Sequence, residues 1–316
     1  MRYHDRGPFP RRSGNNHTRV ARQRKADMNL TQLLQMPVEE LLRGARLGVR
    51  LFPTIDAMIE HFADSMASEL EANNGAGRPT RWIVPVGPTA QYWRLLETCH
   101  RKRISWKNAF IFQMDEFLDW QGRPLPTTHP LSFQGFMRRN LYDKLDPELR
   151  PHPKNLHFPD PFAPDAISEA IRAVGGIDTC FGGIGYHGHV AFNDPPISRW
   201  YKISAEEMRE SLTRVVVLGD DSIVVQSIAS AGGSCDSIPP MAITLGMKDI
   251  LASSKIRLYL AGGARHCAVF RVTLLADPTS DYPATLLQGH PDCIVHTDEA
   301  TAQPVRLSLA WGVPGR

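Results

Sequence analysis

The sequence predicts a mostly parallel, doubly wound α/β sheet with helices on both faces, a Rossmann-like fold in a single domain. Three observations carry that expectation. Six short apolar runs are continuous rather than alternating, as strands covered on both faces must be. Between them lie stretches whose apolar residues recur at helical spacing. No Pro/Gly/Ser-rich linker divides the chain from about residue 29 onward, so the alternation of strand and helix belongs to one sheet.

The strand-like runs fall at 82–86, 109–114, 177–181, 215–218, 256–260 and 293–296. The first clear helix follows Pro53, with Thr54 as N-cap and one stripe of Ile55, Met58, Ile59, Phe62, Met66 and Leu70. Another opens at Pro164 and Asp165, turns Ile167, Ile171 and Val174 to one side, and closes at Gly175.

The 316 residues are 42% apolar and 22% charged, enough for a sizeable core and too apolar for wholesale disorder. Mean hydropathy is −0.27 and no run approaches the ~18–20 apolar residues of a membrane span. Cys99, Cys180, Cys235, Cys267 and Cys293 lie far apart with no C-x-x-C, which fits a reduced, cytoplasmic protein. Residues 1–27 carry a formal charge of +6 and leave −3 for the rest, so the basic pI describes this tail. It has no apolar core of a secretory signal, no amphipathic stripe and no aromatic interleaving, and no folded nucleic-acid-binding module follows it. We read it as a disordered extension outside the domain, which spans 28–316 with Met28 as a functional start. Neither a nucleic-acid nor a membrane partner is expected.

In a parallel sheet ligands bind at the carboxyl ends of strands. Four such ends attract attention. The first is Val84-Pro85-Val86-Gly87-Pro88-Thr89, a glycine turn in which Thr89 is placed to cap the next helix, whose N–H groups suit a phosphate. It lacks the lysine of a Walker loop, and an ordinary βα turn is the plain alternative. The second is Met114-Asp115-Glu116-Phe117, where adjacent carboxylates point to opposite sides and one of them, partly buried, suits a proton shuttle. The third runs from Gly183-Ile184-Gly185-Tyr186-His187-Gly188-His189 to Phe192-Asn193-Asp194-Pro195. It formally matches a dinucleotide fingerprint, yet no acidic residue ends a second strand about 20 residues on. His187, His189 and Asp194 invite a metal, but no further His or Cys completes a site. Imidazole acid/base chemistry, with Asp194 orienting a ring, is the remaining option. The fourth is Leu260-Ala261-Gly262-Gly263-Ala264-Arg265, where a cation at a helix start makes sense if an anion is held there.

These segments, in this order, resemble the glucosamine-6-phosphate isomerase/deaminase family, which also includes 6-phosphogluconolactonases, from about Met28 to Ala302. The most specific match is His129-Pro130-Leu131-Ser132-Phe133-Gln134-Gly135-Phe136-Met137-Arg138-Arg139-Asn140, similar to HPxSYxxFMxRN of the deaminases. Met114 to Phe117 resembles their MDEY, the third strand end their GGxGxDGHIAFNEP, and Pro283 to Pro291 the PASxLQxHP shared more widely. The resemblance implies aldose–ketose chemistry on an amino-sugar phosphate, with or without ammonia release, and without a cofactor or metal. His189 would open the sugar ring, Asp115 would carry a proton between C2 and C1, and Asp194 and His187 would support them. Gly87, Thr89 and Arg265 would hold the phosphate, with Glu116 among the substrate-binding residues. Family members are often homo-oligomers. Lactone hydrolysis and phosphosugar binding without turnover stay open as alternatives.

Five departures from the family pattern bear on the substrate and its regulation. His187 stands where deaminases have Asp, exchanging an acceptor for a group that donates. Asp194 stands where they have Glu; the shorter arm predicts a stretched or water-bridged bond to His189. Arg265 replaces a lysine, and the position of a second basic phosphate clamp falls near Ser227. A basic effector segment is not recognisable after Pro195.

Overall fold

The computed structural model describes residues 29–306; the basic segment 1–27 lies outside the described residues. Seven strands form one parallel sheet: β1 (Gly48–Phe52), β2 (Thr80–Val84), β3 (Ala109–Gln113), β5 (Leu156–His157), β6 (Thr179–Gly182), β9 (Lys255–Leu260) and β10 (Cys293–Asp298), in the order β1-β10-β9-β6-β2-β3-β5. Successive residues of its strands enter two cores, as a sheet covered on both faces requires. Trp82, Val84, Ile111, Phe181 and Tyr259 pack with Phe62, Met66 and Leu95 on one side. Ile83, Phe112, Cys180, Ile256 and Leu258 pack with Ile171, Phe270 and Leu274 on the other.

The helix Ile55–Gly75 forms where its stripe predicts. Thr54 accepts a bond from the Ala57 N–H, and Met58, Ile59, Phe62, Met66 and Leu70 are buried. Phe62 lies flat on Tyr259 of β9, with ring centroids 3.7 Å apart. The helix Asp165–Ala173 ends at Gly175, whose φ of +85° suits glycine.

Three further strands form a separate antiparallel sheet: β4 (Asp115–Leu118), β8 (Met241–Thr244) and β7 (Arg214–Val217), in the order β4-β8-β7. The run at 215–218 is therefore not a strand of the parallel sheet. Val215 and Val217 face outward, 36% and 59% exposed, while Val216 packs inward, and such alternation belongs to a sheet with one open face. The runs forming β1, β4 and β8 are interrupted by polar or charged residues, and so carry no continuous apolar signal.

The order of strands places the site. From β2 the chain steps outward to β3 and β5, then returns to the other side of β2 to lay down β6 and later β9 and β10. The direction reverses between β2 and β6, and crevices form at such points beyond the carboxyl ends of strands. The four segments singled out above follow β2, β3, β6 and β9, which are adjacent in the sheet.

Candidate active site

A cavity of about 410 Å³ opens among those four strand ends, a size suited to a small metabolite. Asp115, His189, Gly87 and Arg265 all line it, together with Gly185, Tyr186, Phe133, Gln226 and His266. Residues from four distant parts of the sequence thus meet around one volume.

The loop after β6 is built around His189. The Gly185 N–H donates to the His189 carbonyl at 2.9 Å, and the Gly188 N–H to the Gly185 carbonyl at 2.9 Å. A Cβ on Gly185 would overlap the His189 ring at Nε2. Gly188 has φ of +72°, and a Cβ there would press on Tyr282. The glycine spacing that imitates a dinucleotide fingerprint therefore makes room for an imidazole.

His189 Nδ1 lies 2.6 Å from Asp194 Oδ1. The bond is direct, so the expectation of a stretched or bridged contact is corrected; the loop brings the shorter side chain close enough. Ser222 Oγ donates to the other carboxylate oxygen at 3.1 Å. Burial pushes the Asp194 carboxyl up, but the His189 bond and charge, Ser222 and the charge of His187 outweigh it and hold the group below its ordinary value. A carboxylate only accepts, so Nδ1 carries the proton and Nε2 is left as the basic nitrogen.

Asp115 begins β4, immediately beyond the end of β3, and is 7% exposed. Burial, reinforced by the neighbouring Glu116, pushes its carboxyl up to about 8.

Glu116 does not reach the cavity, which corrects its place among the substrate-binding residues. The chain pleats at this strand, and its side chain points away from Asp115. Oε1 accepts the N–H groups of Phe117 at 2.9 Å and Phe133 at 2.7 Å. Oε2 accepts Gln134 N–H at 2.7 Å and Ser132 Oγ at 3.2 Å. It thereby caps the helix Phe133–Asn140, whose own N-cap Ser132 accepts from Gly135. Burial still leaves this carboxyl above its ordinary value, against the pull of these donors. Glu116 and the His129-to-Asn140 motif are parts of one clasp.

His187 also stands outside the cavity lining, contrary to a direct catalytic place. Its ring is 5.7 Å from that of His189, but Nδ1 is turned to Asp221 at 2.9 Å. Thr89 makes no cap bond, with φ −104° and ψ −25°, and does not line the cavity. The turn it follows is held instead by the helix Ala90–Lys102: Tyr92 Oη donates to the Pro85 carbonyl and Gln91 Nε2 to the Pro88 carbonyl. The sequence places a helix after this turn but assigns no role to these two side chains, which are polar members of its buried face.

Two more residues escape the sequence reading. Tyr186 and His266 stack across the cavity wall with centroids 4.2 Å apart at 24°. Burial, then the Arg265 charge, pushes the His266 imidazole down to about 4, so it is neutral near pH 7. The signal was Gly262, since a Cβ there would overlap the His266 ring. No group of three or more His, Cys, Asp or Glu able to hold a metal occurs among the described residues.

The chain matches no family model. It is 31% identical over 224 residues to glucosamine-6-phosphate deaminase 2 of Giardia intestinalis, covering 69% of this chain and 77% of that one. It is 29% identical over 264 residues to glucosamine-6-phosphate deaminase of Porphyromonas gingivalis, covering 81% and 92%. Among solved structures, a monomeric glucosamine-6-phosphate deaminase superposes with a TM-score of 0.68 at 23% identity, over 81% of this chain and 99% of that one. A 6-phosphogluconolactonase from Thermotoga maritima superposes with a TM-score of 0.58 at 15% identity, over 80% and 99%, a likeness of fold. With an extended relative above 30% identity and the ordered strand-end motifs gathered around one cavity, the chain belongs to the glucosamine-6-phosphate isomerase/deaminase family.

Proposed function

We propose that the protein is a sugar-phosphate isomerase/deaminase acting on glucosamine 6-phosphate or a close amino-sugar phosphate. The observation that carries this reading is that Asp115 and His189 line one cavity with Arg265 and the Gly87 turn. The phosphate sits by Arg265 and Gly87. His189 Nε2, its partner nitrogen tied to Asp194, takes the proton of the anomeric hydroxyl and returns one to the ring oxygen, opening the ring. Asp115, as carboxylate, then takes the C2 proton while a proton of the ammonium passes to O1, leaving a C1–C2 enol with an amino group on C2. Asp115 returns its proton to C1, which produces a C2 iminium. Water adds at C2, its proton passes to the nitrogen, and ammonium leaves, giving the ketose phosphate. Burial makes Asp115 a stronger base than a solvated carboxylate, with a proton affinity matched to neutral pH. Proton transfer alone calls for no cofactor.

Lactone hydrolysis would employ His189 as base to a water but leaves Asp115 without a task, so the buried acid favours isomerisation. The unpaired cysteines, four of them buried, and the lack among the described residues of a helix long and apolar enough to cross a membrane support a cytoplasmic setting. The deciding assay supplies glucosamine 6-phosphate and follows ammonia and fructose 6-phosphate together. Equal release of both supports the proposal; ketose formation from a hexose phosphate without ammonia narrows it to isomerisation. Turnover of a phosphosugar lactone alone, or binding with no turnover, overturns it.

A further inference from the structure

Among the described residues, the side chains that line the cavity include one Lys or Arg, Arg265. The position where a second basic clamp is expected is occupied by Ser227, which is 1% exposed and donates to the Val224 carbonyl at 2.8 Å. Its helix, Asp220–Ser230, has no Lys, Arg or His and offers Gln226 and Ala229 to the cavity. A phosphate dianion by the Gly87 turn with Arg265 as its one cationic side chain would be incompletely matched, because its oxygens accept several bonds at once.

We infer that His266 supplies the missing contact, its Nε2–H donating to the phosphate of the substrate beside Arg265. The residue follows Arg265 directly and lines the same cavity. Stacking on Tyr186 at 4.2 Å fixes the plane of its ring. Nδ1 is enclosed with no hydrogen-bond partner, over the space that the missing Cβ of Gly262 leaves. A proton on that nitrogen would be a buried donor without an acceptor, costlier than a lone pair facing a C–H group. The proton therefore belongs on Nε2, the polar atom left to the cavity. Gly262, Tyr186 and His266 thus form one device: the glycine admits the ring, the tyrosine orients it, and the imidazole donates. A neutral donor beside one guanidinium recognises phosphate without a second charge.

This inference rests on the phosphosugar reading of the cavity, and its test separates the two. Calorimetric titration of inorganic phosphate and of glucosamine 6-phosphate compares the wild type with His266→Phe and His266→Gln. Phenylalanine keeps the stack but removes the donor; glutamine keeps an N–H. His266→Phe should weaken both ligands by about tenfold or more, the scale of a lost bond to a charged group, while His266→Gln recovers most of it. For any phosphosugar that is turned over, KM should rise with kcat nearly unchanged. Wild-type affinity in His266→Phe overturns the inference, as does failure of the wild type to bind inorganic phosphate. Nitrogen NMR of the unsubstituted protein gives an answer independent of variant folding: His266 should be the Nε2–H tautomer and shift on adding phosphate, and an Nδ1–H tautomer overturns the assignment. If phosphate binding depends on His266 but no sugar phosphate is turned over, the reaction falls and the contact stands.

Discussion

Asp115, which lines the cavity, and Asp194, which stands behind the cavity residue His189, are both largely buried, yet their surroundings drive them in opposite directions. Asp194 has a histidine on one oxygen and a serine on the other, and is held ionised. Asp115 has another acid beside it and loses its solvent, and is pushed up to about 8. The comparison teaches that burial alone does not set protonation; the partners enclosed with a carboxyl decide it. One acid becomes a fixed negative charge that orients His189, and the other becomes a group that can take and return a proton.

The sharpest way to break this contrast is Asp115→Asn. Turnover should fall by about 10²–10⁴-fold, since an amide cannot carry the proton. Stability should move the other way. A carboxyl raised from 3.8 to about 8 favours the folded state fully below the lower value and loses that contribution as pH rises through the upper one. The wild type should therefore lose stability between those limits, and the asparagine variant should melt higher than wild type near pH 8. Thermal melts across pH check this, and a lower melting temperature for the variant at pH 8 would remove the buried-acid account. In the wild type kcat/KM should rise through about pH 8 as Asp115 ionises.

His189→Gln tests the ionised half of the pair. Turnover of the cyclic substrate should drop by about 10²-fold or more, because the glutamine amide cannot act as base. An unchanged rate with a preserved fold would take ring opening away from His189.

Glu116→Gln asks whether the acid next to Asp115 is structural. An amide in this position presents N–H groups to donors that now meet an oxygen, so the variant should lose about 1–3 kcal/mol of stability in denaturant melts. Turnover should fall far less than in Asp115→Asn, and an equal fall at full stability would return Glu116 to the chemistry.

His187→Ala should have the smallest effect. Its pair with Asp221, a residue whose side chain is 62% exposed, is worth about 0–1 kcal/mol. Turnover should stay within a few-fold of wild type, and a loss matching His189→Gln would show that the ring acts on substrate.

Much of the molecule was legible before folding. The stripe from Met58 to Leu70 reads as one buried helix face because its spacing is local, and Thr54 and Gly175 mark helix ends through their own side chain or backbone freedom. The strand ends of β2, β3, β6 and β9 were marked by glycine and charged residues at the close of apolar runs. Other features depended on neighbours far along the chain. Whether Val215 belongs to the parallel sheet is decided by its pairing with Ile243 of β8, not by its own apolarity. Asp115 and Glu116 are equivalent in a sequence, and only the receiving helix at Phe133 and Gln134 separates proton carrier from cap.

The sequence by itself determined the class of fold, the order of the motifs and the presence of an imidazole and an acid at strand ends, since each is written in spacing over a few residues. The tertiary structure alone decided which carboxyl is desolvated, which is paired, and that His266 joins Arg265 at the cavity. Desolvation and hydrogen bonding are properties of what surrounds a group in space, and those surroundings include partners from other elements, such as Ser222 for Asp194 and Tyr186 for His266.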